Sequence, residues 1–224
     1  MSTIVKICGM TDEAAIDAAL SAGADMVGLV QFARSPRHID RDRAGALADR
    51  ARGRAEIVLV TVDMAAADLD LAIEAIRPDW VQCHGVETPE RVAHISGQTG
   101  CRTIKALGVA EADDLDHAVD YAGACDMFLL DTRPPRDATR PGGHGLVFDW
   151  GIVAGRKLPS PFLLSGGLGL DNVAEAVRVE GAAGVDVSSG VEDTPGHKDP
   201  GLVAAFVSAA RAADQPSAAG AARS

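Results

Sequence analysis

The sequence predicts a single (β/α)8 barrel, an α/β fold whose parallel strands close on themselves. Three observations carry this. The apolar segments are short continuous runs, such as Ile57-Val58-Leu59-Val60-Thr61-Val62 and Met127-Phe128-Leu129-Leu130. Continuous runs, unlike alternating ones, belong to strands covered on both faces, as in a parallel sheet flanked by helices. Strand and helix patterns also alternate about eight times over ~210 residues, which suits a barrel of this type. An open doubly wound sheet fits the alternation too, but its nucleotide-binding form wants G-x-G-x-x-G after the first strand, and none stands there.

In chain order, strands are expected at Val5–Cys8, Met26–Val30, Ile57–Val62, Trp80–Cys83, Thr103–Leu107, Met127–Leu130, Phe162–Leu164 and Gly184–Val187. Helices are expected from Asp12 to about Gly23, from Asp40 or Arg41 to Arg52, and around Leu69–Ile76. Further helices are expected over Pro89–Ile95, Ala110–Tyr121, Asp171–Val179 and Leu202–Ala212, with a short one near Trp150. A Pro/Gly-rich loop spans Thr132 to Leu146. Residues 1–213 read as the barrel domain. The stretch 214–224 is small and polar without periodicity, and disorder is expected there.

The chain has 224 residues, a net charge of −11 and a hydrophobic content of 47%. That content supports a sizeable core. No apolar run reaches the ~20 residues of a membrane span, and the N-terminus lacks a secretory signal pattern, so a cytoplasmic location is expected. The acidic balance without a basic patch argues against nucleic acid or an anionic membrane as partner. The four cysteines, Cys8, Cys83, Cys101 and Cys125, form no C-x-x-C pair or metal spacing. Cys83 and Cys101 read as small buried apolar residues.

In such a barrel chemistry sits at the C-terminal ends of the strands, and that rule selects the candidates. Cys8 ends the first strand beside Gly9; it is either a thiol whose pKa a nearby helix start lowers toward a thiolate or a buried cysteine packed under the rim. Asp131 ends the sixth strand, where burial would raise its pKa and suit it to general-acid work, or where it serves as an N-cap or a salt-bridge partner in the following loop. Gly166-Gly167 follow the seventh strand and Ser188-Ser189-Gly190 the eighth. Small residues in both loops let backbone N–H groups approach a phosphate. Arg37, with Arg34 as competitor in the same loop, suits capture of a carboxylate. His84 ends the fourth strand, where it either orients a substrate or serves structure. Asp186 either meets a sugar hydroxyl at the barrel mouth or satisfies a neighbouring loop.

Several segments together resemble the phosphoribosylanthranilate isomerase family. They include Val5-Lys6-Ile7-Cys8-Gly9-Met10-Thr11, Ser35-Pro36-Arg37, Val81-Gln82-Cys83-His84-Gly85, Leu129-Leu130-Asp131-Thr132, Gly142-Gly143-His144-Gly145, Leu164-Ser165-Gly166-Gly167-Leu168 and Asp186-Val187-Ser188-Ser189-Gly190-Val191-Glu192, in order along nearly the whole chain. The resemblance implies a TIM barrel, monomeric or homodimeric, that acts on a small phosphosugar–anthranilate substrate. The implied reaction is an Amadori rearrangement in tryptophan biosynthesis, without metal or redox cofactor. It implies Cys8 as general base, Asp131 as general acid, Arg37 as ligand of the anthranilate carboxylate, and Gly167 with Ser188 and Ser189 as the phosphate cradle. Two departures stand out. Gln31 would put a polar group near the anthranilate side, and His144 stands where the family commonly has a small residue. The alternatives are a non-catalytic phosphosugar-binding barrel and another phosphate-binding barrel enzyme of tryptophan or histidine biosynthesis. A synthase of that group would need a catalytic lysine, for which Lys6 and Lys105 are the available side chains.

Overall fold

The computed structural model describes residues 2–133 and 147–214. The Gly142–Gly145 loop with His144, and the segment after Asp214, lie outside the described residues. Eight parallel strands form a closed barrel in chain order: β1 Ile4–Cys8, β2 Met26–Gln31, β3 Glu56–Thr61, β4 Trp80–Cys83, β5 Arg102–Val109, β6 Met127–Thr132, β7 Phe162–Leu164 and β8 Ala182–Val187. β8 returns to pair with β1, bringing Lys6 opposite Asp186 across the closing seam.

Closure fixes two apolar layers. Inward side chains such as Met26, Val58, Val60, Trp80, Ile104, Met127, Leu129 and Leu163 fill the barrel. Outward ones, among them Val27, Leu29, Ile57, Leu59, Val81, Phe128 and Leu130, pack under the helices. Both faces of each strand are therefore dry, which is why the strands read as unbroken apolar runs.

The helices follow local signals. α1 (Glu13–Ala22) starts at Asp12, whose side chain accepts from the Ala15 N–H at 2.8 Å, and ends at Gly23 in the left-handed region. α2 (Arg41–Ala51) is capped by Asp40, and α4 (Pro89–Thr99) by Thr88 with Pro89 in its first turn. α3 covers Ala66–Ile76, α5 only Val173–Ala176, and α6 Pro200–Asp214.

Two expected helices take another form. Ala112–Tyr121 is a 3₁₀ helix. Its apolar residues Ala112, Leu115, Ala118 and Tyr121 recur every third position, matching the three-residue turn. The stretch after α5 continues in three-residue turns, with Arg178 N–H donating to the Glu175 carbonyl and Val179 N–H to that of Ala176. Asp214, expected in a loose tail, is the last residue of α6 and accepts from Thr3 N at 3.0 Å and Thr3 Oγ1 at 2.6 Å. A two-stranded hairpin that no apolar pattern announces, β9 Glu192–Thr194 and β10 His197–Lys198, follows β8.

The N-terminal face is clamped by one repeated device. Asp25, Asp79 and Asp126 immediately precede β2, β4 and β6. Each donates its backbone N–H to a carbonyl of the preceding strand, at Val5, Ile57 and Thr103. Each carboxylate then takes back that same residue's N–H at 2.7 Å. Asp25 also pairs with Arg211 of α6. Asp25→Ala should cost about 1–3 kcal/mol, the range for charged hydrogen bonds, in chemical denaturation; an unchanged midpoint would show that the clamps carry no stability.

Candidate active site

The C-terminal ends of the strands surround a cleft of about 730 Å³, counted out to its open mouth, and all nine site residues selected from the sequence border it. The strand pleat selects them. Cys8, His84, Asp131 and Asp186 occupy inward positions near the ends of β1, β4, β6 and β8. Gln82 and Ser165 border the cleft as well. The signal for Gln82 is its spacing, two residues before His84 on the same strand face.

Cys8 is buried, and its Sγ leans over Gly28, its register partner on β2. A Cβ at position 28 would stand 2.8 Å from that sulfur. Burial pushes the thiol pKa up, while the Lys6 ammonium draws it back. The expected lowering by a helix start is thus overturned, because desolvation outweighs any nearby positive end. Lys6 is itself fully buried and pairs with Asp186 at 2.7 Å. Burial lowers the Lys6 pKa, and the charges of Asp186 and Cys8 more than reverse this, leaving it raised. A cation is therefore held beneath the thiol.

Asp131 faces His84, with Nε2 at 3.4 Å from Oδ2. Gln82 Nε2 donates to His84 Nδ1 at 2.7 Å, which leaves the ring proton on Nε2, toward Asp131. Gln82 Oε1 is buried without a partner among the described residues. Gly166 gives Asp131 its room. It holds φ +81°, and a Cβ there would sit 2.9 Å from Asp131 Oδ1 and overlap Thr132.

The phosphate-cradle candidates come from the loops after β7 and β8. The N–H groups of Gly166, Gly167 and Ser189 donate to nothing among the described residues. Asn172 pins the first loop through the Gly169 N–H and the Gly167 carbonyl. Ser188 Oγ donates to the Cys8 carbonyl at 2.9 Å. Helix dipoles add little here, since α5 has four residues and the turn at Ser189–Val191 three.

Arg37 is buried in the cleft wall while Arg34 is exposed, which separates the two candidates. Glu192 grips Arg37 by Nε at 2.6 Å and Nη2 at 2.8 Å. The other edge of the guanidinium, Nη1, makes no hydrogen bond among the described residues. Asp186 serves its neighbours and also borders the cleft: Oδ1 holds Lys6, and Oδ2 accepts from Ser165 Oγ at 3.0 Å.

Gln31, expected near the anthranilate side, does not border this cleft. Its amide donates to the Ile39 carbonyl and borders a separate surface depression, because the pleat sends Val30 and Phe32 inward and Gln31 outward. Cys83 is fully buried as expected, but Cys101 is only half-buried and its thiol donates to the Pro78 carbonyl at 3.3 Å. Neither Lys6 nor Lys105 borders the cleft. Lys105 is spent on Glu87 at 2.8 Å and the Gly85 carbonyl at 2.7 Å. No group of three or more His, Cys, Asp and Glu among the described residues is placed to hold a metal ion, and no helix among them is long and apolar enough to cross a membrane.

Comparison with known proteins decides what this cleft belongs to. Residues 5–209 match the family model described as N-(5'phosphoribosyl)anthranilate (PRA) isomerase. The chain belongs to this family. An N-(5'-phosphoribosyl)anthranilate isomerase from Rhodopseudomonas palustris is 55% identical over 213 residues, covering 95% of this chain and 100% of the relative. The crystal structure of phosphoribosyl anthranilate isomerase from Thermotoga maritima superposes with a TM-score of 0.85 at 32% identity, covering 94% of this chain and 99% of that one. A structure of such an isomerase in complex with reduced 1-(o-carboxyphenylamino)-1-deoxyribulose 5-phosphate gives a TM-score of 0.80 at 31% identity, with the same coverage. The family's barrel is the fold seen here.

Gly28→Ala should displace the Cys8 sulfur while leaving the barrel intact. Turnover by the isomerase is expected to fall roughly 10–100-fold, the scale of an ångström-level misplacement, with a nearly unchanged thermal midpoint. Wild-type kinetics in this variant would show that the approach of Gly28 to the thiol has no catalytic consequence.

Proposed function

We propose that the chain converts N-(5-phosphoribosyl)anthranilate to 1-(2-carboxyphenylamino)-1-deoxyribulose 5-phosphate by Amadori rearrangement, with Asp131 as general acid and Cys8 as general base. Membership of the family makes the chain an isomerase of tryptophan biosynthesis. The supporting observation for the residue roles is one cleft bordered by a thiol and a carboxylate on different strands, by an arginine, and by two loops whose Gly166, Gly167 and Ser189 amides donate to nothing among the described residues.

In this reading Gly166, Gly167, Ser188 and Ser189 receive the phosphate, and the free edge of Arg37 receives the anthranilate carboxylate. Anchoring both ends fixes the ribose between them. Asp131 donates its proton to the ring oxygen, the C1′–O bond breaks, and the anthranilate nitrogen supplies the electrons for a protonated Schiff base. That cation acidifies the C2′ hydrogen. Cys8 as thiolate removes it, giving an enolamine that tautomerises to the ketone. His84 and Asp186 contact the sugar hydroxyls, with the His84 Nε2–H also orienting the Asp131 carboxyl. Only protons move, so the steps call for no redox cofactor. The enzyme acts on this small molecule in the cytoplasm, and one chain supplies every residue named, whether it works as a monomer or a homodimer.

A non-catalytic phosphosugar-binding barrel would need the cradle but not a buried thiol and carboxylate turned into the same cleft. A synthase reading lacks its lysine, since neither Lys6 nor Lys105 borders the cleft and both are held in ion pairs.

The direct test follows the loss of substrate fluorescence with freshly made phosphoribosylanthranilate. Cys8→Ala and Asp131→Ala should each lower kcat at least ~10²-fold with the fold retained; near-wild-type turnover would remove the residue from its role. Arg37→Ala should chiefly raise KM.

The raised Cys8 pKa sets the sign of the pH dependence. The thiol is protonated at rest, so kcat/KM should climb as pH rises toward its pKa. Lys6→Met removes the cation that favours the thiolate, so the acidic limb of the profile should move to higher pH and activity at neutral pH should drop. A limb that stays in place would sever Lys6 from the ionisation of Cys8.

A further inference from the structure

We propose that the β9–β10 hairpin is the positioning element that sets the span between the carboxylate anchor and the phosphate cradle, with Lys198 as its central tie. The inference rests on the functional reading above and adds residues to it.

The hairpin runs Glu192-Asp193-Thr194-Pro195-Gly196-His197-Lys198, with Glu192 and Lys198 as register partners. It is short and polar, yet Lys198 is 1% exposed. A buried ammonium must be matched by acceptors, and its partners are Ser188 of the cleft and Glu192, which holds Arg37. Its Nζ reaches Glu192 Oε1 at 2.6 Å, the Ser188 carbonyl at 3.1 Å and Ser188 Oγ at 3.3 Å. Glu192 in turn holds two nitrogens of Arg37, and Ser188 Oγ holds the Cys8 carbonyl. One cation thus connects the anthranilate anchor, the phosphate loop and the backbone of the general base.

The hairpin's turn docks on the same loops. Thr11 Oγ1 donates to the Gly196 carbonyl at 2.8 Å, and Gly196, at φ +91°, leaves no room for a Cβ against the Pro36 carbonyl. The loops after β1, β2 and β8 therefore meet at one small element that contributes no group to the reacting atoms. Neither Glu192 nor Lys198 borders the cleft, so both act through the residues they hold. The bidentate grip also orients Arg37. With Nε–H and one Nη2–H taken by Glu192, the guanidinium plane is fixed and the edge left for a ligand is Nη1 with the second Nη2–H.

The test uses two partial ligands as competitive inhibitors of the full-length enzyme: anthranilate for the carboxylate end and ribose 5-phosphate for the phosphate end. Lys198→Met should weaken inhibition by both, and raise KM, by roughly tenfold or more, the scale of a misplaced binding group. Glu192→Gln keeps the shape of the side chain and should weaken anthranilate alone, leaving ribose 5-phosphate within about twofold of wild type. A purely structural role would lower the thermal midpoint without separating the two inhibitors. Folded Lys198→Met with both inhibition constants unchanged overturns the inference. If Lys198→Met does not fold, Glu192→Gln decides: selective loss of anthranilate supports the tie, and unchanged inhibition by anthranilate overturns it. Wild-type enzyme that neither turns over phosphoribosylanthranilate nor responds to either inhibitor would overturn the functional reading, and this inference with it.

Discussion

The ion pair between Lys6 and Asp186 is the interaction on which the rest depends. The two residues are register partners on β1 and β8, where the barrel closes. An ammonium with no exposure is tolerable only beside a matched anion, and removing one partner of such a pair costs about 3–5 kcal/mol. The pair therefore ties the register of the seam to the electrostatics of the interior. A slip of β1 by one residue would turn Lys6 and Cys8 out of the barrel together and leave the Asp186 carboxylate on β8 without its cation, so correct closure and correct placement of the thiol are one event.

From that seam the charges are laid out around Cys8. Lys6 lies on the same strand, two residues earlier and on the same face. Lys198 is bonded to the serine whose hydroxyl holds the Cys8 carbonyl. Both cations draw the thiol pKa down against burial. Each is bound to a carboxylate, and each carboxylate also holds a second group, Ser165 for Asp186 and Arg37 for Glu192. Glu192 shows the resulting balance: burial raises its pKa, and the hydrogen bond from Arg37 with the charge of Lys198 brings it below its ordinary value. These pairs contribute modestly to net stability, because desolvation offsets attraction. Their consequence is position, since a buried carboxylate with two partners has little freedom to move.

The strands were readable because double-sided burial writes an apolar run into the sequence, and the site residues because strand ends are marked by the change from apolar to polar or small. Cys8, His84 and Asp131 stand at such changes, while Asp186 interrupts the apolar run within β8. What failed depended on direction or on distant partners. Gln31 is polar at a strand end, yet the pleat turns it outward to the Ile39 carbonyl. The thiol pKa followed burial, which no neighbour in sequence reports. The grip of Glu192 on Arg37 spans 155 positions, and nothing local to Arg37 announces it. The 3₁₀ helix at Ala112–Tyr121 was legible in principle, as a spacing of three where an α-helix would alternate three and four. The Pro195-Gly196 turn signal of the hairpin was likewise present, but its flanks are too polar to suggest that Lys198 is buried.

With Cys8 as the proposed base, the choice of a thiol follows from this layout. The cleft already gathers Asp131 and Asp186, with Glu192 just behind Arg37, and its substrate brings a phosphate and a carboxylate. A third carboxylate at position 8, against Asp186 and in a dry interior, would be held protonated by its neighbours or would drive the barrel apart. A thiol is neutral at rest, so it accepts burial at little cost, packs over Gly28 as a small apolar group, and acquires charge only when a proton is to be taken. Asp186 disfavours the thiolate as it would a carboxylate, but the ammonium groups of Lys6 and Lys198 oppose it. As the Schiff base forms, a further positive charge arises on the substrate itself. That charge favours the thiolate, so in the proposed reaction Cys8 most readily gives up its own proton to solvent when the C2′ proton is most acidic, and the enzyme need not keep a permanent anion among its carboxylates.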